Sequence, residues 1–302
     1  MPVERTLSFP GPVSPAHTLA PQRRGPGDPC FQIIDGVIWR TSLQRSGPVT
    51  ARISRTAADT IHCRAWGEGG EEFVANLPGL LGADDDASDF TPIHPTVALA
   101  QRRVPHLRIG RTGRVLEALI PAVLEQRVQG IDSFRSWGLL VTGYGTAAPG
   151  PAPDGMRVPP APEVWRRIPS WEFHRANVDP GRARTILGCV ARAEALERLS
   201  ARPPAEARQA LTSLPGVGIW TAAETAQRAL GDADALSVGD YHLATMIGWT
   251  LLGRPIDDPA MEELLEPMRP HRYRVVRLLE VSRLARLPRR GPRLPVQRIS
   301  GL

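Results

Sequence analysis

LTSLPGVGIWTAAETAQRALGDADALSVGD, residues 211–240, decides how this 302-residue chain is read. Leu214-Pro215-Gly216-Val217-Gly218 cannot continue a helix, because Pro215 lacks the N–H that a helix interior uses. Both glycines tolerate positive φ. The flanking segments, 204–211 and 221–230, read as helical, so two helices are expected to meet at a tight hairpin. Its backbone N–H groups then have no intrahelical acceptor, and bare donors at a helix N-terminus attract phosphate. Asp240 follows a short polar loop, Gly231-Asp232-Ala233-Asp234. An acid this near a phosphate-gripping hairpin points to chemistry on a nucleic acid.

Composition sets the outer bounds. Hydrophobic content of 42% and charge of 23% are ordinary for a globular chain, long enough for one large domain or two modest ones. No run of apolar residues is long enough to span a membrane, and MPVERTLSFPGP has no apolar signal core, so a cytoplasmic protein is expected. A net charge of +6 fits a polyanionic partner. All 37 basic residues are arginine, so no lysine in this chain can form a Schiff base. Cys30, Cys63 and Cys189 are scattered, which argues for reduced thiols and against a cysteine-ligated metal or iron–sulfur cluster.

Working outward from the hairpin, residues 1–28 are rich in Pro and Gly and read as a mobile or loosely docked arm. Short β-prone runs follow, among them Phe31-Gln32-Ile33-Ile34 and Ile61-His62-Cys63-Arg64-Ala65-Trp66, so residues 29–92 are assigned to a small β-rich domain. Residues 93–287 read as helical, beginning with an apolar face at helical spacing over 115–128 with Pro121 as a kink. Residues 145–162 form a Pro/Gly-rich linker inside that block. Residues 288–302 are a basic tail; Arg283, Arg286, Arg289, Arg290, Arg293 and Arg298 accumulate after the last acid, Glu280. Such a run is usually a solvated tail, with non-specific DNA contact as the other reading.

The combination L-P-G-V-G-x-x-T-A, then V-x-D-x-H some twenty residues on, resembles the helix–hairpin–helix DNA glycosylase superfamily over roughly residues 95–285. The resemblance implies a mainly α fold: a glycosylase helical core with a small N-terminal β-rich (α+β) domain. It also implies that the hairpin N–H groups at Gly216, Val217, Gly218 and Thr221 bind the backbone of double-stranded DNA beside a damaged base. Family enzymes that also cut the backbone carry a lysine where this chain has Trp220. Trp220, the Asp240-Tyr241 pair and the N-terminal sheet are similar to the 3-methyladenine DNA glycosylase II branch. The missing cysteine cluster separates the chain from the endonuclease-III-like branch. Gln126 matches a glutamine closing the first core helix, and Arg127 stands where alkyl-branch enzymes place a leucine wedge. Asp179-Pro180-Gly181-Arg182-Ala183-Arg184 resembles the family turn G-x-x-x-K-A, with arginine for lysine. No cofactor is implied beyond a monovalent cation on the hairpin carbonyls, and a monomer is expected.

The residue types suit that chemistry. Breaking an N-glycosidic bond builds positive charge on the sugar, and a carboxylate about 4 Å away at an effective dielectric near 20 offsets around 4 kcal/mol. Asp240 is the catalytic candidate, either stabilising that cation or deprotonating water; as an acid where a new helix starts, it also reads as a cap. An alkylated purine is already a good leaving group and needs no acid. A flipped cationic base would be held on aromatic faces, with Trp220 and Tyr241 as first candidates and Trp137, Trp171 and Trp249 behind them. His174 and His242 flank these aromatics and read as structural. The expected activity is monofunctional removal of alkylated bases such as 3-methyladenine in base excision repair. The alternatives are a non-catalytic damaged-DNA-binding module and a glycosylase for oxidised or mismatched bases.

Overall fold

Alternation of apolar and polar residues builds the N-terminal sheet. The computed structural model describes residues 1–288, so the tail arginines from Arg289 onward lie outside the described residues. Five antiparallel strands, β1 (Val3–Ser8), β2 (Phe31–Ile34), β3 (Val37–Leu43), β4 (Pro48–Arg55) and β5 (Thr60–Trp66), pair in the order β1-β5-β4-β3-β2. Ile38, Val49, Ala51, Ile53, Ile61, Cys63 and Ala65 form the buried face. Asp35 and Gly36, at φ +49° and +76°, make the two-residue turn between β2 and β3, the turn whose twist suits a hairpin. Helices α1 (Pro15–Leu19) and α2 (Gly70–Leu80) cover the buried face through Leu19, Phe73 and Leu77.

The N-terminal arm differs from its sequence reading: it is docked. Val3, Arg5 and Leu7 alternate with Glu4, Thr6 and Ser8, and that period of two pairs β1 with β5 from Val3↔Ala65 to Ser8↔Thr60. The prolines do not interrupt the strand. Pro15 instead opens α1, whose cap is Ser14, and Val13 and Leu19 are fully buried. Largely buried polar contacts then bind this layer to the helical core: Arg24 pairs with Glu125 at 2.7 Å, Arg40 pairs with Glu117, and the Ser42 hydroxyl donates to Glu117.

The helical part holds α3 (Pro95–Arg103), α4 (Val115–Leu124) and α5 (Gly130–Tyr144), then a two-strand excursion, β6 (Thr146–Ala147) and β7 (Arg157–Val158). The 145–162 linker is therefore partly ordered as strand, and the Thr41 hydroxyl of β3 donates to the Arg157 carbonyl. Next come α6 (Pro162–Trp165), α7 (Ser170–Arg175), α8 (Pro180–Val190), α9 (Ala193–Glu197), α10 (Pro204–Thr212) and α11 (Ile219–Ala229). The chain ends its described part with α12 (Leu243–Ile247), α13 (Asp258–Leu265) and α14 (Arg272–Val281). Pro121 sits inside α4 without ending it, because α4 is buried almost all round and packing outweighs the lost hydrogen bond.

Two apolar clusters divide these helices. One gathers α4, α5, α8, α10 and α11 around Leu119, Leu124, Leu140, Ile186, Leu211 and Ala226. The other gathers α3, α12, α13 and α14 around Val97, Ile247, Met261, Leu265, Val275 and Leu279. Leu230 and Ala235 belong to the first cluster, Leu236 and Leu243 to the second. Asp240 lies where the chain crosses between them. Between the two parts, the run Asp84-Asp85-Asp86 ties into the helices: Asp85 pairs with Arg274 and accepts the Ile109 N–H, and Asp84 pairs with Arg111.

Candidate active site and nucleic-acid interface

The hairpin between α10 and α11 uses the left-handed freedom of only one of its two glycines. Gly216 adopts φ +82°, and a Cβ there would stand 2.1 Å from the Thr185 hydroxyl. Gly218 has φ −88° and ψ −179°, ordinary extended backbone at the N-cap of α11. Among the described residues, the N–H groups of Gly216, Gly218, Ile219, Trp220 and Thr221 have no backbone acceptor. They are the bare donors.

Two residues expected to face DNA are occupied inward. The Val217 amide closes the turn on the Leu214 carbonyl at 3.0 Å, and its side chain is buried. Thr221 is also buried, and its hydroxyl accepts from Gln126 Nε2 at 2.8 Å. The same Gln126 nitrogen donates to the Gly216 carbonyl at 2.9 Å. Gln126, expected at the base pocket or wedge, is thus a strut that holds the hairpin to the end of α4. That end is fixed in turn by buried Arg182, which donates to the carbonyls of Leu124 and Asn177 and pairs with Asp179. Arg127, next along, is exposed and left-handed at φ +56°. Of the two wedge candidates it alone is free to project outward.

Asp240 is held from three sides. One carboxylate oxygen accepts the backbone N–H groups of His242 at 2.8 Å and Leu243 at 3.0 Å, capping α12. The other accepts the indole N–H of Trp220 at 3.2 Å. The same face of α11 steadies the approach to Asp240. Gln227 donates to the Ala235 carbonyl at 2.7 Å and to the Ser237 hydroxyl at 2.8 Å, and Ser237 in turn donates to Glu224. Positions 220, 224 and 227 lie on one stripe of a helix, so α11 grips the loop at three points. Burial pushes the Glu224 carboxyl up, but Arg228 and the Ser237 hydroxyl outweigh it and hold Glu224 below the usual carboxylate range. The polar stripe at i, i+4 and i+7 was the sequence signal for this grip, and it was not read.

A second contributor lay beyond any local signal. Asp258, at the start of α13, accepts the N–H of Gly239 at 3.1 Å. Gly239 is left-handed at φ +88° and immediately precedes Asp240, so Asp258 fixes the turn that presents the catalytic candidate.

The aromatic candidates separate clearly. Trp220 is half-buried against Asp240, while Tyr241 is 70% exposed with its ring edge-on to His242 at 4.7 Å. Trp171 is exposed and Trp249 half-buried. Trp137 offers no open face to a base: it is buried in the core, its indole N–H spent on Asp28 at 3.0 Å. His174 is exposed.

All three cysteines are buried free thiols, and burial pushes Cys63 up to about 12 and Cys189 up to about 11. Among the described residues no three of His, Cys, Asp and Glu gather to hold a metal. The carbonyls of Thr212, Pro215 and Val217 accept no hydrogen bond from the described residues. Neutral oxygens of this kind suit a hard cation, so the hairpin's donor set fits the monovalent ion that the resemblance implies. No described helix is long and apolar enough to cross a membrane.

Comparison with known proteins bears on this geometry. No protein-family model matches the chain. It is 32% identical over 195 residues, 61% of its length, to a Mycobacterium tuberculosis protein described as "Probable bifunctional transcriptional activator/DNA repair enzyme AlkA". The match covers 36% of that protein, so the chain spans about a third of the length of the curated relatives it matches. Among solved structures, a 3-methyladenine DNA-glycosylase from Archaeoglobus fulgidus superposes with TM-score 0.76 at 17% identity, covering 92% of this chain and 98% of that one. An 8-oxoguanine glycosylase/lyase from Clostridium acetobutylicum gives TM-score 0.69 at 12% identity over 93% and 98%. A Schizosaccharomyces pombe 3-methyladenine DNA glycosylase bound to abasic DNA gives 0.51 at 15% identity over 63% and 93%. The chain has the fold of the helix–hairpin–helix DNA glycosylases, mainly α with a small N-terminal sheet.

Proposed function

We propose that this chain is a monofunctional DNA glycosylase that removes alkylated bases such as 3-methyladenine from double-stranded DNA. The observation that carries the reading is the Trp220 indole seated on the Asp240 carboxylate at 3.2 Å. Trp220 is the second residue of the helix whose first turn bears the free amides. Phosphate grip and acid therefore belong to one rigid unit. The kinship with a DNA repair enzyme and the likeness to 3-methyladenine glycosylase structures support the same reading.

In this reading the DNA backbone sits on the amides of Gly216, Gly218 and the first turn of α11, where the helix dipole favours negative charge. A monovalent ion on the hairpin carbonyls would add positive charge beside that phosphate. The damaged nucleotide rotates out of the stack at a cost of a few kcal/mol, less for a damaged pair. Arg127 fills the gap it leaves. The base is then held against aromatic faces, with Trp220, whose indole touches the acid, and exposed Tyr241, its neighbour in sequence, as the first candidates.

As the bond to the base breaks, Asp240 opposes the positive charge on the sugar. A carboxylate has about four lone-pair sites, and three are engaged. The remaining one is left for an attacking water. Because position 220 holds tryptophan and the chain contains no lysine, no side-chain amine is available to attack the sugar, and the backbone stays intact.

The test is incubation with methylated duplex DNA, scoring free bases by chromatography and strand breaks with and without alkali. Release of 3-methyladenine, with breaks only after alkali, is expected. Binding to damaged DNA with no base released would leave the non-catalytic reading standing in its place.

A further inference from the structure

On the far side of the hairpin from Thr221 runs an open groove of about 390 Å³, between the Leu214–Gly216 turn and one face of α8. Gly181, Thr185 and Gly188 recur at helical spacing along that face, and their small side chains keep its floor low. Gly216 packs so closely on Thr185 that the groove and the hairpin form one continuous surface.

The charge lining this groove has one sign. Arg184 and Arg192 are its only charged residues, and both are exposed. Arg184 has no ion pair or hydrogen bond among the described residues. Arg192, just beyond α8, spends one N–H on the Gly188 carbonyl of that helix at 2.9 Å and pairs with no acid among the described residues. The buried arginines Arg24, Arg40, Arg182, Arg272 and Arg274 are matched to carboxylates, whereas these two exposed ones face the groove with no acid beside them. Arg184 lies within α8 and Arg192 two residues past its end at Val190, so one guanidinium stands on the helix and the other at its C-terminal exit.

We propose that this groove is a second phosphate-backbone site, in which Arg184 and Arg192 hold the DNA strand as it leaves the hairpin amides. The proposal rests on the reading of the chain as a DNA glycosylase. It adds that the footprint extends over α8, away from Asp240. The planar, multi-donor guanidinium suits a phosphodiester that offers two free oxygens.

Counterion release gives a measurement that a merely structural role would not move. Each neutralised phosphate adds about 0.9 to the slope of log K against log salt. Binding of the full chain to a short duplex carrying a stable abasic-site analogue is followed by fluorescence anisotropy from about 0.05 to 0.3 M salt. Arg184→Gln and Arg192→Gln should each flatten the slope by about 0.9, and the double variant by about 1.8. With a shared intercept at 1 M, the double variant binds about thirtyfold more weakly near 0.15 M salt. Arg45→Gln, on the exposed turn between β3 and β4, should leave the slope unchanged. Unaltered slopes in the two groove variants, or an equal flattening in Arg45→Gln, overturn the groove proposal alone. If the unsubstituted chain does not bind the duplex, the glycosylase reading itself fails.

Discussion

Replacing Asp240 with asparagine separates its two jobs. The asparagine side-chain oxygen can still accept from the amides of His242 and Leu243, as the carboxylate does at 2.8 and 3.0 Å, and Asn caps helices about as well as Asp. The amide nitrogen then faces the Trp220 indole N–H across 3.2 Å, donor against donor. The expected stability loss is one hydrogen bond to a charged acceptor, about 1.5–3 kcal/mol. At roughly 2–4 °C per kcal/mol for a chain of this size, Tm falls by about 3–12 °C and the protein stays folded. Catalysis should lose far more. The lost attraction of about 4 kcal/mol for the sugar cation corresponds to about a thousandfold in the rate of base release. Single-turnover release of 3-methyladenine from methylated duplex, paired with thermal unfolding, reads both numbers on one preparation. Trp220→Phe serves as the companion, since it keeps the carboxylate and deletes only its donor; it should lose no more than about tenfold. A folded Asp240→Asn protein retaining more than about a tenth of the rate would refute the electrostatic role.

Three further outcomes follow from the geometry. Gly216→Ala places a methyl 2.1 Å from the Thr185 hydroxyl at φ +82° and should cost at least about 1–2 kcal/mol from the left-handed backbone alone; Thr185→Ala in the same chain should recover the clash but not the backbone cost in denaturant unfolding. Gln126→Ala removes both struts to the hairpin, so duplex affinity should drop several-fold while the single-turnover rate of saturated enzyme changes little; a loss confined to that rate would contradict the strut. Burial, then the neighbouring imidazole and Arg277 and Arg55, lowers the pKa of His17, and burial with Arg55 lowers that of His106, which hydrogen-bonds it at 2.9 Å. Folded-state values below the ordinary 6.5 mean that the unfolded chain binds more protons. The pair's contribution is therefore full above that pH and is lost as pH falls below it, and His106→Gln should flatten the drop in Tm between about pH 6.5 and 5 relative to the unsubstituted protein.

What could be read ahead of the structure was what the chain encodes locally. A proline and two glycines between helical segments announce a hairpin wherever they occur, and an acid before an apolar helical run announces a cap. The partners of polar side chains were not legible. Gln126 and Gly216 are ninety residues apart in sequence, as are Trp137 and Asp28 by more. Nothing local distinguishes a glutamine that braces a turn from one that probes a base, or a core tryptophan from a pocket wall. Thr221 was assigned outward because its family position lies beside DNA, whereas its own face of α11 turns toward α4. The arm failed for another reason. Its prolines dominate the composition, and the six-residue alternation of β1 is too short to outweigh them until β5 offers an edge to pair with.

Because Asp240 caps α12 and, in the proposed reaction, also faces the sugar cation, selection for a folded chain and selection for base removal would act on one side chain. An acid retained at this position among relatives would therefore be weak testimony to activity. Serine, threonine and asparagine can all start a helix as well as aspartate can, or nearly so. A lineage that has given up repair would be free to drift among those four, while one that still excises bases would be confined to aspartate. The pattern of exchange at position 240, more than the presence of an acid there, would show which lineages still perform the reaction.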